Sequence, residues 1–587
     1  MRGAALLCAI QVAQLAGQSS QPDKSKGEFD GPAELPRVYV KSSLADSPAP
    51  GKVRNVGPKG DLQSALDNAN CGDTIKIEAG VRYEGAWTLP AKKCDDSHWI
   101  VIRTSAPDGA LPGEGTRITP CYAGLSSLPG RPPFDCPSPK DVMPHLVFNR
   151  KTGNGPFLFA SGANHYRLVG LDLTRREGGD IVFHLASVEQ GGTADHIIYD
   201  RLWLHGSPQD EIKGGIQLGG SQHVAVVDSY FSDFHCIAKT GACTDAHAIA
   251  GGNGDNPMGP YKIVNNFLEA SGESIMFGGG PATTTPADIE IRGNYFYKPL
   301  AWMKGQPGFM GGADGQPFIV KNLFELKNAQ RVLFEKNLLE NSWGGFTQVG
   351  FAILITPRNQ TGGGGRNLCP ACQVTDVTIR YCKISHVAAG MQIANPVDNG
   401  EPPKDGQRYS IHDVIFDDID VERYSGPGKL FQVSQGPNAP LLQNVKIDHI
   451  TAFPPRVLLN LGSRSKAGKM ANFVFTNSIV TSGERPITST TGGQDNCSFQ
   501  ALRLAPKDAM SNCFSGLTFK NNLIIGEKSG WPGENFTAKD IESVGFANVK
   551  VGDYRLRPDS RYRKAGSDGK DLGADVEAVN RAVEAAK

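Results

Sequence analysis

Net charge is the first thing this sequence lacks. Its 587 residues carry 60 Lys plus Arg against 60 Asp plus Glu. That balance excludes a strongly basic nucleic-acid binder and an acidic disordered tail protein. Beyond the first residues, no apolar run approaches the roughly 20 residues that a membrane span needs, so neither nucleic acid nor membrane is expected as a partner. The 70 Gly and 39 Pro show no collagen period, and such a content without a period points to a turn-rich all-β chain. Apolar residues are 39% of the total, enough to fill a core.

What is present is a degenerate repeat. Copies include YKIVNNFLEASG, IEIRGNYFYKPL, VLFEKNLLENSW, VTIRYCKISHVA, VIFDDIDVERYS, VKIDHITAFPPR and LTFKNNLIIG. Each reads as a short alternating strand, a polar turn and a second apolar stretch. The copies lack the 3.6 period of a helical repeat and the near-constant length of a propeller blade. Unequal spacing around a constant short-strand motif predicts one domain, a right-handed parallel β-helix over residues 37–574. Alignment puts Tyr199, Val226, Ile263, Ile291, Phe334, Ile379, Phe416, Ile447, Phe475 and Phe519 in one column. Three residues on, Ser229, Asn266, Asn294, Asn337, Cys382, Ile419, Ile450, Ser478 and Asn522 form a second, expected to point inward as a ladder of bonded side chains. Next to the first column, Arg292, Glu335, Arg380, Asp417 and Asp448 share a register suited to pairing between rungs. Asp61 caps a predicted helix in DLQSALDNAN that closes the near end. A second helix, over 575–587, closes the far end.

Residues 1–18 read as a signal peptide, which predicts a secreted protein. Twelve cysteines fit an oxidising compartment. With Cys8 set aside in the signal peptide, proximity in sequence suggests the pairs Cys71–Cys94, Cys121–Cys136, Cys236–Cys243, Cys369–Cys372 and Cys497–Cys513, leaving Cys382 as a buried thiol in the ladder.

ANCGDTIKIEAGVRYEG, the Asn-bearing rungs and YRLRPDSRYRKAGSDGKDLGAD resemble secreted right-handed parallel β-helix proteins of the pectin lyase-like superfamily. The resemblance implies a cleft along one face that takes an extended polysaccharide. The chondroitinase B and alginate lyase group of that superfamily carries a Gly-Glu-x-Glu strand with a Lys shortly after and an Arg-His pair on the next rung. Here Gly272-Glu273 matches the first carboxylate, Ile275 replaces the second, and Gly278 to Gly280 stand where the Lys is expected. The polygalacturonase-like motifs NTD and GHG are absent, although Asp417-Asp418 supplies a DD.

The candidate site follows from the polar residues on the second strands of successive rungs. Glu273, Lys304, Arg358, His247 and Lys327 are the catalytic candidates. Trp302, Asn395, Arg331 and Glu325 are the substrate-binding ones, with Trp302 as a flat platform for a sugar ring. Asp245 and Glu273 are the ligands of a possible Ca²⁺. β-Elimination of a uronate needs a cation at the substrate carboxylate and a base at the adjacent proton. Hydrolysis needs two carboxylates, and Asp245 with Glu273 is the pair available for it. A monomeric polysaccharide lyase is the first reading, a glycoside hydrolase the second and a noncatalytic carbohydrate-binding protein the third.

Overall fold

A computed structural model describes residues 27–587, apart from 238–242, 346–347, 360, 363–365, 397–400, 465–466, 492 and 527–528. The signal-peptide reading of 1–18 lies outside the described residues. Each copy of the repeat is too short to bury its apolar face alone, so the copies stack. Twelve strands, from Trp87–Leu89 to Ile487–Ser489, form one sheet, and a 26-stranded sheet wraps the remaining sides. Nearly every neighbour in the coil is parallel, and the apolar columns meet in one continuous core. The chain is a parallel β-helix.

The first column runs in register from Tyr199 through Val226, Ile263, Ile291 and Phe334 to Ile379. The next member is Ile411, not Phe416, and Ile447 follows it. The segment IHDVIF has apolar residues on both sides of Asp413, which makes the turn in the left-handed region at φ 52°. The sequence alignment took the strand after that turn for the strand before it. Val414 therefore replaces Ile419 in the ladder, and His412 replaces Asp417 in the charged row.

The Asn column is internal. Asn266 donates to the Val226 carbonyl at 2.9 Å, while its Oδ1 accepts from the Ser229 amide. Asn294 repeats this one rung on, donating to Ile263 and accepting from the Asn266 amide. Asn337 does the same for Ile291 and Asn294. All three are fully buried. Each side chain closes a turn and links it to the next, so the backbone polar groups at the corner are satisfied rung by rung.

The five disulfides are the five pairs expected, and Cys382 is a buried free thiol, raised to about 12 by burial. Helix Leu62–Asp67 covers the near end with Leu62 and Leu66, and Asp61 caps it through the Ser64 amide. The far end is closed by helix Pro506–Cys513 and by Trp531, which stacks on Phe519 at 5.2 Å. The C-terminal helix, Val576–Ala586, forms where expected but is not an end cap. It lies on the flank, where Arg117 donates to the Ala586 carbonyl and to that of Asn265. The N-terminal segment runs back down the outside of the large sheet. Asp30 meets Arg380 and His412, the Glu34 amide meets Asp376, the Arg37 amide meets Asp288, and the Ser43 carbonyl accepts from Arg167.

Candidate functional site

On the twelve-stranded sheet, strands His247–Gly251, Glu273–Phe277, Phe324–Leu326 and Phe351–Ile355 are consecutive neighbours. His247 stands opposite Glu273, and Met276 opposite Glu325. Ile275, Phe324 and Leu326 enter the core, so alternation turns Glu325 outward. The rung after Glu273 is thus NLFELKN. LAWMKG, which carries the candidates Trp302 and Lys304, is not a strand of this sheet but part of an insertion that precedes it.

This register merges two groups of candidates into one cluster. Asp245 pairs with Lys321. His247 Nδ1 lies 3.3 Å from Glu273 Oε2, and the side chain of Glu325 meets that of Glu273. Lys327 Nζ lies 3.5 Å from Glu325 Oε1. The Arg358 amide donates to the Lys327 carbonyl at 3.0 Å. The side chains of His247, Glu273, Glu325 and Lys327 are all buried, while Asp245 and Lys321 reach the edge. Lys327 fits because of glycine: a Cβ on Gly278, at φ +103°, would come within 2.8 Å of the Lys327 Cβ.

Burial governs the protonation of the cluster. It pushes His247 down to about 4, leaving a neutral imidazole at pH 7. Burial pushes Glu325 up to about 7, a rise that Glu273 reinforces and Lys327 opposes. Burial also opposes ionisation of Asp245, yet Lys321 beside it holds its carboxyl below the ordinary range. Beneath the cluster, Lys298 is wholly enclosed and donates to the carbonyls of Ala270, Gly272 and Asn322 at 2.7, 2.5 and 3.0 Å. Burial brings it down to about 7, against the pull of Glu273 and Glu269. Glu269 in turn accepts from Arg131, which also pairs with Asp233. A file of buried charges thus crosses the coil wall to Glu273.

Four candidates fall elsewhere. Trp302 is only 1% exposed, packed against Phe318 and His235, so it is no platform for a sugar. Lys304 is exposed in the loop after it, apart from the buried cluster. Arg331 lies on the large sheet and pairs with Asp288. Asn395 is buried, bonds the Gly406 and Pro440 carbonyls, and lies away from Glu273 on the wall of an outer groove. Lys321 and Lys298 are not among the sequence candidates, and for Lys298 nothing local marks a Lys that will be enclosed by three carbonyls. Sequence reading also missed the outward row that continues from Glu325 through Leu354 to Gln392, Gln432, Asn460 and Thr488. Four of these rungs line a groove of about 310 Å³ on the outer face. Their alignment depends on the register, and only the stacked strands reveal it.

A calcium ion takes six to eight oxygen ligands. Asp245 is engaged by Lys321 and Glu325 faces Lys327, so lysine ammonium groups already oppose the carboxylates beside Glu273. The donor set around Glu273 does not fit calcium.

No protein-family model matches the sequence, and no curated protein does. Several solved structures are similar at low identity. A mannuronic acid specific polysaccharide family 6 lyase from human gut microbiota is 12% identical, with 85% of this chain and 90% of that one covered and a TM-score of 0.47. Pectate lyase Pel9A is 12% identical over 90% and 97%, with a TM-score of 0.34. The catalytic domain of a GH87 alpha-1,3-glucanase in complex with nigerose is 11% identical over 84% and 70%, with a TM-score of 0.45. The fold is a parallel β-helix. That statement rests on the strand register and the internal Asn ladder described above.

Proposed function

We propose that the protein is a carbohydrate-active enzyme, a lyase that cleaves a uronate-containing polysaccharide by β-elimination. The observation that carries this reading is the meeting of Glu273, Glu325 and Lys327 across two rungs. The strand of Glu273 lacks the second carboxylate and the Lys that the alginate lyase resemblance calls for. Glu325 and Lys327 supply both residue types from the next rung. Lys327 is the base in this reading and Glu325, near pH 7, its proton partner. The Lys321 edge and Arg358 face the substrate carboxylate. Lys327 takes the proton alpha to the carboxylate, charge builds on that carboxylate, the bond from the neighbouring carbon to the glycosidic oxygen breaks as that oxygen takes a proton from Glu325, and a double bond forms between those two carbons. The outer groove along Gln392, Gln432 and Arg464 holds neighbouring sugars. Hydrolysis is less well served. Asp245, one half of the carboxylate pair it would use, is tied to Lys321.

The test is incubation with polymannuronate, polyguluronate, polygalacturonate and dermatan sulfate while following absorbance near the ultraviolet edge. A rise in absorbance is expected with at least one polymer. New reducing ends without absorbance would replace the lyase with a hydrolase, and binding without cleavage would leave a carbohydrate-binding protein.

A further inference from the structure

A second cluster lies on another wall of the coil, on the large sheet. His165, His196 and His223 occupy one position on three successive rungs, and their rings stack with centroids 4.5 and 4.4 Å apart. The same corner continues on later rungs with side chains that complete one another. Arg331 meets Asp288, Arg408 meets Asp376, and Asn472 donates to Asn444. The three imidazoles cannot complete one another in this way. Like groups in a column repel once protonated, and neutral rings leave nitrogen lone pairs to be satisfied. Carboxylates flank them instead. Asp195 Oδ1 is 3.0 Å from His196 Nδ1 and 2.7 Å from His223 Nδ1. On the other side, Asp96 Oδ1 is 3.2 Å from His165 Nε2 and 3.9 Å from His196 Nε2.

We propose that Asp195, His196 and His223 form a binding site for a divalent transition ion of the zinc class. Two imidazole nitrogens and one carboxylate are the donors such borderline ions select. Bonds of 2.0–2.2 Å in a tetrahedron place ligand atoms about 3.4 Å apart. The two nitrogen–oxygen separations here fall within 1 Å of that spacing, and all three donors lie within 4.8 Å of one another. The rings stack nearly parallel, so their in-plane lone pairs do not converge until one imidazole turns out of the stack as the ion enters. The side chains are 29%, 35% and 45% exposed, so an ion can enter and a water can take the fourth position. Asp195 and His196 come from one strand and His223 from the next, so the ion would clamp two rungs. Asp96 and His165 form a weaker set, because Asp96 is 84% exposed and sits farther from His196. The inference is independent of the lyase reading.

The test is calorimetric titration of metal-stripped full-length protein with ZnCl₂, together with Co²⁺ substitution followed by visible absorption. One tight ion per chain is expected, with the intense bands of a low-coordinate site. His196→Ala and His223→Ala should each weaken binding at least tenfold and abolish those bands. His386→Ala, which removes a comparable exposed His–Asp pair, should leave both unchanged. Zinc should raise the melting temperature of wild type and not that of His223→Gln, a variant that keeps the side-chain volume if alanine fails to fold. Wild-type affinity no greater than that of the two His variants, or an equal loss in His386→Ala, would mean adventitious binding only and overturn the proposal.

Discussion

Glu325 is the residue on which the site can be interrogated most directly. Its folded pKa of about 7 lies above the ordinary 4.5, so between those values the native state holds a proton that the unfolded state has released. Stability therefore falls as pH rises from 4.5 to 7, by an amount on the order of 3 kcal/mol for this group. Glu325→Gln should flatten that slope in melting curves taken at pH 5 and pH 7.5. If the lyase reading holds, the same change should lower turnover by about 10²-fold or more, as loss of a proton-transfer partner does. An unaltered slope would remove Glu325 from the buried pair. Asn294 tests the ladder. Asn294→Ala would leave the Ile263 carbonyl and the Asn266 amide without partners, and at about 1–3 kcal/mol for each buried group the loss should be about 2–5 kcal/mol in denaturant unfolding. The ladder was legible in the sequence because one residue type recurs at one offset. The charges around Glu273 were legible only as residue types. That Lys327, and not Lys304, joins Glu273 depends on an insertion the strand pattern cannot reveal.

Among the elements, the N-terminal segment was opaque to sequence reading, since it has no period and only scattered charges. Its attachment is nonetheless ionic and pH-dependent. Asp30 is held down at about 2, with His412 and Arg380 outweighing the effect of burial, and Asp30 and Asp413 together hold His412 up at about 9 against it. The contribution of Asp30 is present above its ordinary 3.8 and is lost as pH falls through 2. That of His412 is complete below 6.5 and is lost as pH rises through 9. Docking should therefore be firmest between about pH 4 and 6.5. Asp30→Asn should speed hydrogen exchange and limited proteolysis in residues 27–50 within that window, and protection equal to wild type would show that the ion pairs do not hold the segment. The misread copy at Phe416 belongs to this scale as well. Alternation locates strands well but cannot tell the strand before a corner from the strand after it when both are apolar.

At the scale of the whole molecule, a stacked coil draws its stability from contacts between neighbouring turns. All five disulfides are local, so none joins distant turns. Closure of the far end rests on helix Pro506–Cys513 and on Trp531 over Phe519. Trp531→Ala should uncover Phe519 and produce concentration-dependent self-association in sedimentation, whereas a monodisperse variant would show that the helix alone seals the end. The N-terminal segment imposes a different constraint. A fracture between any two turns it crosses must also shear its bonds to Asp288, Asp376, Arg380 or His412. The C-terminal segment does the same for the later turns, bonding Thr537, Asn477, His449 and Asp413 in succession. Drawn apart in a force spectrometer, the coil should hold until one of these two straps peels away, and only then tear turn by turn.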